Sequence, residues 1–205
     1  YEGWDHGDMT TAVFDFDNDG WQDVYIGSSD YPGNKSLLFR QTAPAQFGHV
    51  AIADYFLHYR AHGVAIADFD RDGDLDVVAG HSLMRCDGFP GNDCGPTPQI
   101  QLYENLTSES TRWLQVHLTG TGGSNRAAIG ARVEVSAGGV TQTQHVDGGH
   151  GHFGLQRDLT LHFGLGQACE AQVTIHWPDR EGTVETFTAA ANERLEVTQG
   201  AAPSP

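Results

Sequence analysis

The sequence predicts an all-β chain in two parts, a partial β-propeller followed by a β-sandwich. Three observations carry that prediction. An acidic motif occurs twice, 53 residues apart, as Asp15-Phe16-Asp17-Asn18-Asp19-Gly20-Trp21-Gln22-Asp23 and Asp68-Phe69-Asp70-Arg71-Asp72-Gly73-Asp74-Leu75-Asp76. Runs of β-branched, small or aromatic residues flank both copies and read as strands. Beyond residue 107 the motif never returns, and short strand-like runs alternate instead with Gly- and Asp-rich turns.

The two copies agree at eight of thirteen positions from 15 to 27 and from 68 to 80. Each unit has a strand into the acidic loop (11–14 and 64–67), a strand out of it, and a further strand holding Leu38 or Leu102. A repeat of three or four strands with a period near 50 suits a propeller blade, and propellers close with four to eight blades. Residues 1–107 therefore supply two blades, with others expected upstream or from another chain. In the second unit Leu102 comes 22 positions after Gly80, where in the first Leu38 comes 11 positions after Gly27. Its surplus contains Cys86 and Cys94, and such an insertion maps to a loop on one face of the repeat.

Carboxylates at this density repel one another, and a divalent cation resolves the conflict. Ca²⁺ takes six to eight oxygens, and alternating aspartates before a sharp Gly turn wrap oxygens round one point. A helical calcium hand shares acids at positions 1, 3 and 5 and Gly at 6, but position 12 is here Ile26 or Ala79. The last acid falls at position 9 and a strand follows, so a strand–loop–strand site is expected. The expected ligands are the side chains of Asp15, Asp17, Asp19 and Asp23 with the carbonyl of Trp21, and those of Asp68, Asp70, Asp72 and Asp76 with the carbonyl of Asp74. Two Ca²⁺ sites result. The competing reading is a pair of solvated turns, since Asp and Gly favour turns without any metal.

For 108–199 the expected strands are 113–118, 131–136, 141–146, 159–163, 171–177, 184–187 and 194–197. Their inward positions predict a core of Trp113, Val133, Val135, Leu161, Phe163, Val173, Ile175 and Leu195. Residues 200–205 are small and Pro-rich and are expected to be a flexible tail.

A formal charge of −16 argues against nucleic acid and anionic membrane surfaces as partners. Nine of the 27 acids lie in the two loops, so two Ca²⁺ ions, adding four charges, would bring −16 to −12. No apolar run approaches the eighteen residues a membrane span needs. The chain opens on Tyr1 without a signal-like segment, which suggests a processed or partial chain. Cys86 and Cys94 bracket a turn-rich loop, and a disulfide between them is the preferred reading, with reduced surface thiols as the alternative. Cys169, before a strand, is expected to be a small buried residue or the partner of a segment not present.

These residues resemble two families. The loops, with Gly63-Val64-Ala65-Ile66-Ala67 leading into the second, look like FG-GAP/VCBS repeats. The C-terminal part resembles the ASPIC/UnbV domain in Asn125-Arg126-Ala127-Ala128-Ile129-Gly130, Leu161-His162-Phe163-Gly164-Leu165-Gly166 and Ile175-His176-Trp177-Pro178. The resemblance implies a secreted, periplasmic or cell-surface protein of the cartilage acidic protein-like family. It implies that calcium stiffens the blades and that binding, not chemistry, is the usual role. His150-Gly151-His152 and the Cys86–Cys94 insertion depart from that pattern.

Eleven histidines raise the question of a metal enzyme. His58 and His62 precede a strand, where their spacing does not share a face. His150 and His152 sit in a Gly-rich turn and are open to copper or zinc. No Gly-x-Ser-x-Gly elbow, His-Glu-x-x-His helix or phosphate-cradling loop is present. The preferred function is thus a calcium-stabilised extracellular binding, adhesion or assembly module, whose partner is a protein, a glycan or further blades. The alternative is the C-terminal portion of a secreted propeller lyase or hydrolase acting on an extracellular polymer. The sequence names no catalytic residue. Asn34 and Asn105 head glycosylation sequons.

Overall fold

The computed structural model describes residues 9–29, 34–51, 56–81, 98–106, 110–149 and 156–205. The order is β1 (Thr10–Phe14), β2 (Asp23–Gly27), β3 (Leu37–Ala43), β4 (Gln46–Val50), β5 (Gly63–Ala67), β6 (Asp76–Gly80), β7 (Ile100–Tyr103), β8 (Arg112–Thr119), β9 (Arg132–Ala137), β10 (Val140–His145), β11 (Leu161–Gly166), β12 (Glu170–His176), β13 (Val184–Ala190) and β14 (Glu193–Thr198). No helix occurs among the described residues.

The repeat region forms two antiparallel sheets, β1-β2-β3-β4 and β5-β6-β7. Their registers reproduce the repeat. Leu38 lies opposite Tyr25, and Leu102 lies opposite Val78, the residue equivalent to Tyr25. The longer connection in the second unit leaves the pairing unchanged. Alternation decides which face is buried: in β1, Thr10, Ala12 and Phe14 point inward while Thr11 and Val13 face out. One core serves both sheets, with Phe14, Tyr25 and Leu38 from the first and Val64, Ile66 and Val77 from the second. Phe56, from the connection between the sheets, plugs it edge-on to Phe16 and Tyr103. Gly27 permits that close approach, because a Cβ there would lie 2.3 Å from Thr10 and 2.5 Å from the Ala61 carbonyl. A closed propeller is not formed by two such units.

The C-terminal region packs a four-stranded sheet, β10-β9-β12-β13, against a three-stranded one, β11-β8-β14. In the latter, β14 runs parallel to β8, with Leu195 opposite Val116. Seven of the eight expected core residues are buried in one cluster, which also takes in Leu114, Val116 and Trp177. Burying each such side chain fully stabilises the sandwich by about 1.5–3 kcal/mol. Trp113 is the exception. It is only half-buried and stacks on His162 at a ring separation of 6.4 Å, away from that core. The C-terminal residues also differ from expectation. Ser204 exchanges two backbone hydrogen bonds with Glu196, because β14 otherwise presents a free edge there.

Candidate metal centre

Each acidic loop joins two paired strands: β1 to β2 in loop I (residues 15–23) and β5 to β6 in loop II (68–76). The turns are built by their own carboxylates. Asp15 accepts hydrogen bonds from the amides of Asp19 and Gly20, and Asp68 from those of Arg71 and Gly73. Gly20 and Gly73 have φ of 92° and 96°, which explains glycine at position 6. Asn18 and Arg71, at position 4, also take positive φ.

One carboxylate oxygen from each of Asp15, Asp17 and Asp19 lies within 4.8 Å of the other two, and the same holds for Asp68, Asp70 and Asp76. The expected fourth acid stands differently in each loop. Asp23 is buried, but its two oxygens accept from the amides of Phe16 (3.1 Å) and Gln41 (2.7 Å). Asp72 lies outside the loop II cluster, exposed, and accepts from the Asp74 amide at 2.9 Å. Asp76 repeats the pattern of Asp23, accepting from the amides of Phe69 and Asn105. Asp74, whose carbonyl alone was expected to matter, also accepts a side-chain bond from Asn18 at 3.0 Å.

Burial without enough positive charge raises the proton affinity of these groups. Desolvation, with smaller contributions from neighbouring aspartates, lifts Asp15 and Asp17 above the ordinary carboxylate range and pushes Asp23 up to about 7. Asp72 and Asp76 are raised for the same first reason. Asp17 Oδ1 is buried and takes no hydrogen bond. Hard oxygen donors that are clustered, dehydrated and incompletely bonded fit a hard divalent cation such as Ca²⁺. In loop I a protein cation already stands nearby: Arg40 Nη2 lies 2.7 Å from Asp17 and 2.8 Å from Asp19.

The loops also meet the sandwich, which their motif does not reveal. Asn18 is buried. Its Nδ2 donates to the Gly73 carbonyl and to Asp74, and its Oδ1 accepts from His162 Nε2 at 2.6 Å. Gln115 Nε2 donates to Asp68 at 2.6 Å, and Thr111 donates to the Asp17 carbonyl. His162 is fully enclosed, and burial holds its pKa at about 3.

His58 is a satisfied core imidazole, with His81 3.0 Å away on one side and Tyr103 3.2 Å away on the other. Burial lowers its pKa to about 4. The Asn105 sequon is closed in the fold, because that side chain is buried and donates to the carbonyls of Phe16 and Leu75. Cys169 is exposed and unpaired, since it lies in the turn before β12 and not on an inward position. Cys86, Cys94, His150 and His152 lie outside the described residues.

Fold and site together define an all-β protein of repeat blades whose acidic turns face a C-terminal sandwich. Residues 15–79 match the FG-GAP-like repeat family, and 120–204 match the family described as ASPIC and UnbV. The chain thus joins a region that matches FG-GAP-like repeats to one that matches the ASPIC and UnbV domain. It is similar to cartilage acidic protein 1 of Xenopus tropicalis, with 26% identity over 197 residues, 90% of this chain and 27% of that protein. The Mus musculus protein of the same name is 24% identical over 191 residues, again covering 90% and 27%. The chain thus spans 27% of the length of these relatives.

Proposed function

We propose that loops I and II each hold one Ca²⁺ and that the chain is a calcium-stabilised extracellular module for binding, adhesion or assembly. The observation that carries the reading is the convergence of three carboxylates in each loop, together with the unbonded, buried Asp17 Oδ1. The similarity to cartilage acidic protein 1 supports a secreted, periplasmic or cell-surface setting. The unit at 1–107 acts as two blades of a larger propeller, and 108–199 as its sandwich partner. Ile100 and Leu102, 74% and 55% exposed on β7, support further blades or a protein partner against that strand. A Cys86–Cys94 disulfide fits the same compartment. Intact mass with and without reductant tests it, and free alkylation of both thiols in the native, unreduced protein would exclude it.

Calorimetric titration tests the metal reading. Two Ca²⁺ should bind, with Mg²⁺ substituting poorly because it demands a tighter octahedron. A chain that binds neither ion at the loops, with unchanged stability in chelator, would end the proposal.

A further inference from the structure

The two loops and the sandwich are joined by one closed set of polar contacts. Asn18 sits at its centre. Because Asn18 Oδ1 can only accept, His162 must donate from Nε2, which leaves Nδ1 to accept from Gln115 Nε2 at 3.4 Å. The same Gln115 amide donates to Asp68, and Gln115 Oε1 accepts from Arg194 at 3.4 Å. On the other side Asn18 Nδ2 reaches the backbone of Gly73 and the carboxylate of Asp74. One residue of loop I therefore touches both loop II and the sandwich, and one sandwich residue holds a carboxylate of the loop II cluster.

Two glycines make the fit close. A Cβ on Gly164 of β11 would lie 2.1 Å from Asp15 Oδ2 and 2.6 Å from the Asn18 backbone. A Cβ on Gly73 would fall 1.7 Å from the Trp113 indole nitrogen. The Gly166 amide also donates to the Asn18 carbonyl at 2.9 Å, a backbone bond across the junction.

From these contacts we propose that sandwich docking and cation binding are one coupled equilibrium, with Gln115 and His162 as positioning residues for the loops. The idea rests on the calcium reading above. Gln115 aims Asp68 at the loop II cluster, as groups behind a metal's own ligands commonly do. His162 fixes Asn18, and Asn18 fixes the turn of loop II. A cation that orders the loops then completes the docking surface, and a docked sandwich pre-orders the loops for the cation. Linkage makes the two effects equal.

The full chain tests this through calcium titration and hydrogen exchange at the Gly166 amide. In the wild type, chelator should accelerate exchange at Gly166, a measurement that needs no mutation. Gln115→Leu should weaken one of the two Ca²⁺ events by about tenfold, within the usual range of such couplings, and leave the other within about twofold. Gly164→Ala should weaken both events and accelerate Gly166 exchange even in saturating calcium. Gly48→Ala, where a Cβ meets nothing within 4 Å, should match the wild type. The coupling is overturned if chelator leaves Gly166 exchange unchanged, or if Gly164→Ala speeds exchange while both affinities stay at wild-type values. If the wild type binds no ion while Gly164→Ala still speeds exchange, the calcium reading has failed. The junction is then packing alone, and the coupling falls with it.

Discussion

The stretches 15–27 and 68–80 share eight of thirteen residues, and the two loops share their positive-φ positions and the amide bonds to their last aspartates. Their surroundings differ. Loop I is turned into the junction, with Asp15 and Asn18 buried and Arg40 against two of its acids. Loop II exposes Asp70, Arg71 and Asp72 and buries only its second half. By strand register the residue equivalent to Arg40 is Glu104, so the counter-charge has no repeat in the second blade. A shared motif sets the turn and gathers the oxygens. What surrounds the motif sets how much charge is left to neutralise.

The largest test of the pair is removal of the ion. At a hundredfold over Kd each filled site adds about 2.7 kcal/mol of stability, so chelator should lower the melting transition steeply. Asp17→Ala and Asp70→Ala should each delete one ion and one chelator-sensitive step. Melting with and without calcium, alongside an ion count, checks this.

Position 4 separates the loops next. Asn18→Ala should cost about 1–3 kcal/mol in denaturant unfolding, since buried partners in loop II and His162 lose their hydrogen bonds. Arg71→Ala, at the exposed equivalent, should change stability by no more than about 0.5 kcal/mol. Equal costs would mean that the junction contributes nothing at loop I. Asp74→Ala, neutral if only its carbonyl mattered, should destabilise measurably because it removes an acceptor of Asn18.

Acid should expose the junction in a third way. His162 and His58 have folded pKa values of about 3 and about 4, below the ordinary 6.5, so the unfolded chain takes up protons first. Their contribution is fully present above pH 6.5 and is lost as pH falls through the folded values. In His162→Gln the loss of stability between pH 6.5 and 4 should be shallower than in the wild type, as read by melting temperature across that range.

The smallest effect belongs to Arg40. Its side chain is 43% exposed, so its ion pairs are worth at most about 1 kcal/mol. Arg40→Gln should therefore tighten calcium at loop I by no more than about fivefold. Glu104→Arg should move loop II by a similar factor in the opposite direction.

The elements were legible because their signals are local. Period-two alternation placed the strands of the sandwich within a few residues, and the repeat placed Leu38 and Leu102 in matching registers. The acidic clusters were legible for the same reason. The junction was not. Asn18 and His162 are 144 residues apart, and no periodicity links them. An aromatic on a strand is commonly inward, yet Trp113 stacks on His162 and lies over Gly73. His162 and Gly164 did stand out, but only as marks of a resemblance, which identifies residues without saying what they touch.

The parallel pairing of β14 with β8 has a consequence for the order of assembly. Leu114 waits for Glu193 and Thr119 for Thr198, so the central strand beside β11 lacks its second neighbour until residues 193–198 have been made. Closing a loop of that length is a slow step compared with forming a hairpin. The blades can therefore collapse and present their aspartates to solvent before the surface that receives them exists. The aspartates would then face solvent before the sandwich that covers them is complete.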